Sequence, residues 1–458
     1  MNLISSQARR SIVKKGTSNN YQQATKIQFR WLIFLILSFA YDIPLYDLTP
    51  FERVNPRLVD VATLLGIIFV LPKLSKVHLP QIFKIWKVLV FWFVFCSLIW
   101  SVFWLPWQGV GMFSAFYAVR YLQGLLLLYM ALSIPISERQ KEILMYIVIA
   151  GGVFVAIYAI PEYIRGDTMR LLAGGKVIYH AEGALFSSLG TSYHHLAGFS
   201  SLAFGVALSS LLIIKSKKHR IIMLVLAIFI AWPALASGAR SGLLAVGIIF
   251  ILAIFYLKTI RSYLILAFLL SLPFLILVST QMPSLSDLES KSRSIERLIN
   301  MGEIKQENDI SERFGIGNYS LDLYEWQGSR IVILGGGFYV VPHSIGGSLR
   351  YRIGYGIHNS YLFPLEQGGV IAFFLFILLL IYIYKSLKRM KKSPIKVDKA
   401  FAIGIWMFFI TQIISGFFGG NAIWQSVGME NFSTYVLLIY MIASKNTFST
   451  SEEVKEFR

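Results

Sequence analysis

Cysteine occurs once, at Cys96, so no disulfide can close within the chain and no cysteine-based metal site exists. Cys96 lies in an apolar run and says nothing about redox compartment. Charge is also sparse: 15% of residues are charged, against about 25% in a soluble domain. Acidic residues are the scarcer sign, with 24 Asp and Glu against 43 Lys and Arg and a net charge of +19. No HExxH pattern or matching ligand spacing is present, and no P-loop or dinucleotide fingerprint surrounds the glycines of Gly335-Gly336-Gly337. That run alone is a weak phosphate-loop signal. There is no internal repeat and no low-complexity stretch, and Pro and Gly punctuate apolar segments rather than forming a linker.

What fills the chain is apolar. Of 458 residues, 56% are hydrophobic, and the mean hydropathy is +0.62. The composition predicts an all-α polytopic membrane protein whose core forms by packing span on span in lipid. A span needs about 20 apolar residues. Twelve candidates fall at 29–45, 58–72, 82–104, 114–134, 143–161, 195–214, 219–236, 239–257, 261–279, 361–384, 400–418 and 431–444. The second and twelfth are short. Trp31, Tyr41, Trp104, Trp107, Trp232, Tyr263 and Trp424 fall near span ends, where aromatic anchors collect. The first apolar run lacks a small-residue cleavage site and reads as an uncleaved span.

Basic residues orient the chain. With the N-terminus cytoplasmic, the inner segments hold 28 of the 43 Lys and Arg, and 385–399 alone holds seven. This scatter over many short loops makes the pI near 9.8 a signal of topology and of attraction to anionic lipid. It argues against nucleic-acid binding. The expected organisation is a basic cytoplasmic tail at 1–28, spans one to nine in 29–279, a large extracytoplasmic loop at 280–360, spans ten to twelve in 361–444, and a cytoplasmic tail at 445–458.

That loop is too long for a connector. Its eight basic and nine acidic residues nearly balance, and its pattern predicts helical stretches at 286–301 and 318–327, as in a small structured lid. The loop ends in Gly356-Ile357-His358-Asn359-Ser360-Tyr361-Leu362. His358 is thus an imidazole placed where the chain re-enters the bilayer, a position suited to proton transfer at the membrane surface. A merely interfacial, backbone-bonded histidine is the competing reading. Arg240 sits in Ser237-Gly238-Ala239-Arg240-Ser241-Gly242 between two apolar runs. An arginine there faces a cavity or an anion, or else snorkels to the headgroups, and its small neighbours allow close approach. Arg120 lies within an apolar run, fit either for a structural ion pair or for a site. His194 and His195 open the sixth span. Adjacent helical positions point about 100° apart, a poor geometry for joint chelation. Five of the seven His (His180, His194, His195, His343 and His358) fall outside on this topology.

Taken together, these elements resemble the O-antigen ligase and O-antigen polymerase family of bacterial membrane glycosyltransferases. The resemblance covers about residues 185–385. It rests on Leu189 to Leu196, on the Arg240 turn, on Arg313 followed by a helical stretch and the Gly run, and on His358-Asn359-Ser360-Tyr361-Leu362 followed by Glu366-Gln367-Gly368-Gly369. The spacing between Arg313 and the Gly run is looser than the family pattern. The resemblance implies a multi-span fold of the lipid-dependent glycosyltransferase type in the cytoplasmic (inner) membrane, with both termini cytoplasmic and an extracytoplasmic site. It implies transfer of glycan from an undecaprenyl-pyrophosphate carrier to an acceptor glycan or lipid, without metal or cofactor. His358, Arg240 and Arg313 would be catalytic, and Asn359, Tyr361, His194, His195 and Arg120 would bind substrate. Polymerase activity is the expectation, with ligation to lipid A–core or a protein as the alternative. A secondary transporter is the alternative from another class, although the two-fold similarity between halves that it favours is missing; a non-catalytic envelope scaffold is a third.

Overall fold

In the computed structural model, the apolar segments are helical, as they must be where no water is present to pair backbone N–H and C=O groups. The structure describes residues 26–45, 55–74, 79–104, 110–165, 167–169, 176–178, 185–189, 193–237, 239–258, 261–262, 265, 333–335, 340–345, 348–353, 361, 363–416 and 430–445. The helices are α1 (26–38), α2 (Leu58–Phe69), α3 (Gln81–Trp104), α4 (Val110–Ser133), α5 (Glu138–Arg165), α6 (Tyr193–Ser210), α7 (Lys217–Ala236), α8 (Arg240–Tyr256), α9 (Phe363–Met390), α10 (Lys396–Ser415) and α11 (Glu430–Ser444). They occupy all but one of the segments expected to be spans. The remaining one, 261–279, lies almost wholly outside the described residues, as do the expected loop helices at 286–301 and 318–327.

Five helical segments are long and apolar enough to cross a bilayer: Gln81–Ile99, Glu138–Tyr163, Lys217–Ala236, Gln367–Met390 and Lys396–Ser415. Three shorter apolar helices accompany them, Ala118–Ser133, Ser241–Tyr256 and Asn431–Ser444. The chain is therefore a helical membrane protein. With 12 residues, α2 rises about 18 Å, well short of a hydrocarbon core of about 30 Å, and it gives way to a 3₁₀ turn at Leu71–Lys73.

The polar connections depart from an all-helical description. Strands β1 (Asp167–Met169) and β2 (Lys176–Ile178) pair antiparallel. So do β3 (Val340–Ile345) and β4 (Ser348–Ile353), with Ile345 opposite Ser348. Gly346-Gly347 lies between β3 and β4 in the sequence, the kind of pair a two-residue hairpin turn selects. Strands of three and six residues are too short to leave a clear alternation in the sequence.

Helix α10 sits at the centre, with 78% of its apolar window buried, whereas only 28% of that of α7 is covered. The α6–α10 crossing is backbone to backbone. A Cβ on Gly205 would lie 2.9 Å from the Gly404 carbonyl oxygen, and one on Gly404 would lie 2.4 Å from Ser209 Oγ. Such close approach is how membrane helices gain packing energy without a water-driven term. Helix α11 fills the remaining core, with Tyr435 stacked on Phe199 of α6 at 4.8 Å and Tyr440 edge-on to Phe409 of α10 at 5.7 Å.

The starts of α5 and α10 and the end of α11 meet at one end of the bundle. There Lys141, 1% exposed, donates to Asp398 at 2.7 Å and to the carbonyls of Ala443 and Lys445 at 3.3 and 2.7 Å. Lys445 in turn donates to the carbonyls of Leu132 and Ile134, which close α4. Asp398→Asn leaves that ammonium buried without a counter-charge and is expected to destabilise the protein by about 3–5 kcal/mol, read as a fall in thermal unfolding temperature in detergent. The paired change Lys141→Met with Asp398→Leu should cost less than Asp398→Asn, because it removes the desolvation cost of both charges and leaves only the Ala443 and Lys445 carbonyls short of a donor.

Candidate functional site

The opposite end of the bundle gathers the motif-bearing segments. Chain direction requires this, since the end of α1 and the starts of α2, α6, α8, α9 and α11 alternate with the basic connections. Specific contacts fix the arrangement. The carboxylate of Asp42, past α1, pairs with the Arg57 guanidinium just before α2. It also accepts from Asn431 Nδ2 at 2.7 Å, at the start of α11. The Asp42 N–H donates to the Ser188 carbonyl at 2.9 Å. Asp42 and Arg57 are 2% and 4% exposed, a depth at which an unpaired charge would be costly.

Glu162, near the end of α5 and 4% exposed, accepts the N–H groups of Phe186 and Ser187 at 2.8 and 2.5 Å. This holds the 3₁₀ turn Ser187–Leu189, in which Ser187 has φ 56°, a left-handed conformation that costs a non-glycine residue roughly 1–3 kcal/mol. The Ser187 and Ser188 hydroxyls donate to the carbonyls of Val155 and Ala40 at 2.7 Å each. Leu185 N–H reaches the Ser237 carbonyl at 3.4 Å. The segment leading into α6 is thus tied to α1, α5 and the end of α7.

His194 and the Arg240 turn come together here. Arg240 is the first residue of α8, and His194 Nδ1 lies 3.4 Å from the hydroxyl of its neighbour Ser241. Small residues make this possible. A Cβ on Gly242 would meet the Ala234 carbonyl oxygen at 2.4 Å and Ala197 of α6 at 2.9 Å. Two helix N-termini, the positive ends of their dipoles, consequently lie side by side.

Of the other expected site residues, Tyr361 donates its hydroxyl to the Ile413 carbonyl of α10 at 2.5 Å, tying the loop exit to the central helix. His195 is buried, with its ring 4.5 Å from that of Phe432. The Arg120 guanidinium pairs with Asp60 and donates to Gln123 at 2.9 Å, and Gln123 donates to Asp60 and Thr63 at 2.8 Å each. Arg120 therefore takes part in a polar network joining α2 to α4, the structural pairing its sequence position allowed. His358, Asn359 and Arg313 lie outside the described residues. His343 falls in β3, in register with Arg350.

Gly335, read from sequence as part of a weak phosphate loop, has another use. At φ 62°, any Cβ on it would lie 2.4 to 2.6 Å from the backbone of Gln367, Gly368 and Gly369. The loop presses here on the start of α9, which is itself broken by Gly369 at φ 69°. Trp92 Nε1 donates to the Gly368 carbonyl at 2.7 Å, satisfying an acceptor within the interrupted turn.

Sequence reasoning missed Asp42, Arg57, Asp60 and Glu162. The available signal was an ionisable residue at the edge of an apolar run, which in a membrane protein calls for a named partner. Among the described residues, no group of three or more His, Cys, Asp or Glu could hold a metal ion. No protein-family model matches the chain, and no curated protein matches it.

Glu162→Gln places an amide donor against one of two backbone N–H groups that need an acceptor. Hydrogen exchange is expected to accelerate at Phe186 and Ser187 while α10 amides stay protected. The lost charge-assisted bond is worth about 1.5–3 kcal/mol, so unchanged exchange at these two amides would refute the anchoring role.

Proposed function

We propose that the protein is a glycosyltransferase of bacterial cell-surface polysaccharide assembly. In this reading it is a polymerase that transfers glycan from an undecaprenyl-pyrophosphate carrier to a sugar hydroxyl at the outer face of the cytoplasmic membrane. The observation that carries the reading is the meeting of the α6 and α8 N-termini, where His194 touches Ser241 beside Arg240. Paired helix N-termini with an arginine suit a diphosphate. The same end lies opposite the Lys141 and Lys445 cluster, in keeping with an outward position for the site.

The chemistry is a single displacement. The acceptor oxygen attacks the anomeric carbon, and the bond from that carbon to the diphosphate oxygen breaks. His358 takes the hydroxyl proton. The carrier diphosphate leaves with one more negative charge, which Arg240 and Arg313 neutralise by fixed bidentate contacts. The anomeric centre inverts. Asn359 and His194 would orient substrate, and the Tyr361 bond to α10 supports a base held near a rigid element. Arg120 and His195 take supporting positions because one is engaged with Asp60 and the other is buried. Ligation to lipid A–core or a protein is the nearest alternative within this chemistry.

The interruption of α9 at Gly369 favours a second reading, transport, since broken helices often line transporter sites. Proteoliposomes supplied with a lipid-linked donor separate the two: the enzyme forms a glycosidic bond, whereas a transporter only moves its substrate.

In that assay, His358→Ala is expected to insert normally and lose about a hundred-fold or more in turnover. Its rate profile should also lose a limb at roughly pH 6 to 7. His343→Ala should be mild. A His358→Ala enzyme with normal turnover would remove the proposed base.

Arg240→Lys is expected to lose roughly ten- to a hundred-fold in rate although charge is kept, because an ammonium cannot make the two-pronged contact. Near-normal turnover would return Arg240 to a headgroup-level surface role.

A further inference from the structure

The end of the bundle opposite the candidate site carries a donor-rich aromatic cluster that the proposed reaction does not use. Lys391, just past α9, places its Nζ 3.5 Å from the centre of the Trp406 ring and 4.6 Å from that of Tyr256. Lys391 Nζ and Trp406 Nε1 both donate to Tyr256 Oη, at 3.3 and 3.2 Å. A phenol oxygen accepts through two lone pairs and donates one hydrogen. With both acceptor positions taken, the Tyr256 hydrogen must point away from Trp406 and Lys391. An ammonium has three N–H donors, and Tyr256 takes only one from Lys391. Tyr384 packs on Trp406 with ring centres 5.0 Å apart, and Lys388 lies 5.6 Å over Tyr384.

Beyond the two hydrogen bonds that Tyr256 accepts, this cluster has donors to spare. Residues 385–399 contain seven Lys or Arg and a single acid, Asp398, which is buried against Lys141. Among the described residues, no carboxylate pairs with any of the seven. Burial holds the Lys391 ammonium below the usual lysine range, with Tyr256 opposing and Lys388 reinforcing the effect. An adjacent anion would relieve that penalty.

The surroundings select the kind of anion. Within the turn and a half before Tyr256, α8 exposes Ile251 and Phe255, which are 55% and 63% accessible, and α9 exposes Ile381 one turn before Tyr384. Aromatic rings at span ends sit at headgroup depth, and such apolar side chains below them are suited to acyl chains. A free phosphate would use the donors and leave this surface uncovered.

We infer that Lys391, Lys388 and the Tyr256 hydroxyl form a docking site for the headgroup phosphate of an anionic phospholipid, with its acyl chains along Ile251, Phe255 and Ile381. The site is separate from the glycan-transfer reading and stands whether or not that reading holds.

The test uses the full-length protein purified in detergent, with native mass spectrometry and thermal unfolding as readouts. The probes are phosphatidylglycerol and phosphatidylcholine with identical acyl chains. Phosphatidylglycerol should be retained and should raise the unfolding temperature, whereas phosphatidylcholine should do neither. Lys388→Gln with Lys391→Gln should weaken phosphatidylglycerol retention by about ten-fold. Tyr256→Phe keeps the ring and should weaken it by roughly three- to ten-fold. Lys392→Gln with Lys399→Gln removes the same charge from exposed positions and should change it by less than about two-fold. Equal retention of phosphatidylcholine overturns the proposal, and so does displacement by inorganic phosphate at the same concentration. Equal loss in the charge-matched control would replace a site with diffuse attraction and also overturn it. Should the double variant fail to fold, undiminished retention in Tyr256→Phe decides against the site.

Discussion

The backbone contact of α6 with α10 at Gly205 and Gly404 is the constraint on which the other placements depend. Helix α10 is buried along most of its length, so α6 is fixed wherever α10 is fixed. The start of α6 carries His194 and His195, and the α10 carbonyl of Ile413 receives the Tyr361 hydroxyl. A side chain larger than hydrogen at either glycine would push the two backbones apart and move both motifs together. In lipid the driving force for this contact is dispersion and close packing, since apolar surface gains little by leaving hydrocarbon for protein.

Polar groups finish what packing begins. Asp42, Arg57 and Asn431 join α1, α2 and α11, while Glu162 holds the turn before α6 through two backbone amides. The buried charges of Asp42, Arg57 and Glu162 all have partners, as a low-dielectric interior demands. The effect is to set two helix N-termini next to one another without exposing their supports. The turns that carry these N-termini are thereby anchored to the helices beneath them.

The two ends of the bundle use the same residue types for different work. At one end, Lys141 and Lys445 cap carbonyls that close α4 and α11. At the same end, Lys391 folds onto aromatic rings with donors left over. At the other end, arginines dominate: Arg57 and Arg120 are engaged with carboxylates, and Arg240 begins α8. Flexible ammonium groups suit carbonyl caps and headgroups, whereas planar guanidinium groups suit carboxylate and phosphate.

The positions of the helices were legible in the sequence because hydrocarbon imposes one rule on every residue: a run of apolar side chains must also satisfy its own backbone. Residues 82–104 and 400–418 could be assigned to helices on that ground alone. The break before Arg240 was legible for a related reason, since small residues separate two apolar runs there and α7 ends at Ala236 where α8 begins at Arg240. Pairings were another matter. Nothing local says that Arg120 belongs to Asp60, Asp42 to Arg57 and Asn431, or Lys141 to Asp398 across most of the chain. Gly335 read as a loop glycine, and only the closeness of the α9 backbone shows why a Cβ is excluded there. The sequence by itself determined which of the described segments form apolar helices, because hydropathy is summed residue by residue. The tertiary structure decided which charges neutralise each other and which motifs meet, because those depend on distances between helices that no local pattern encodes.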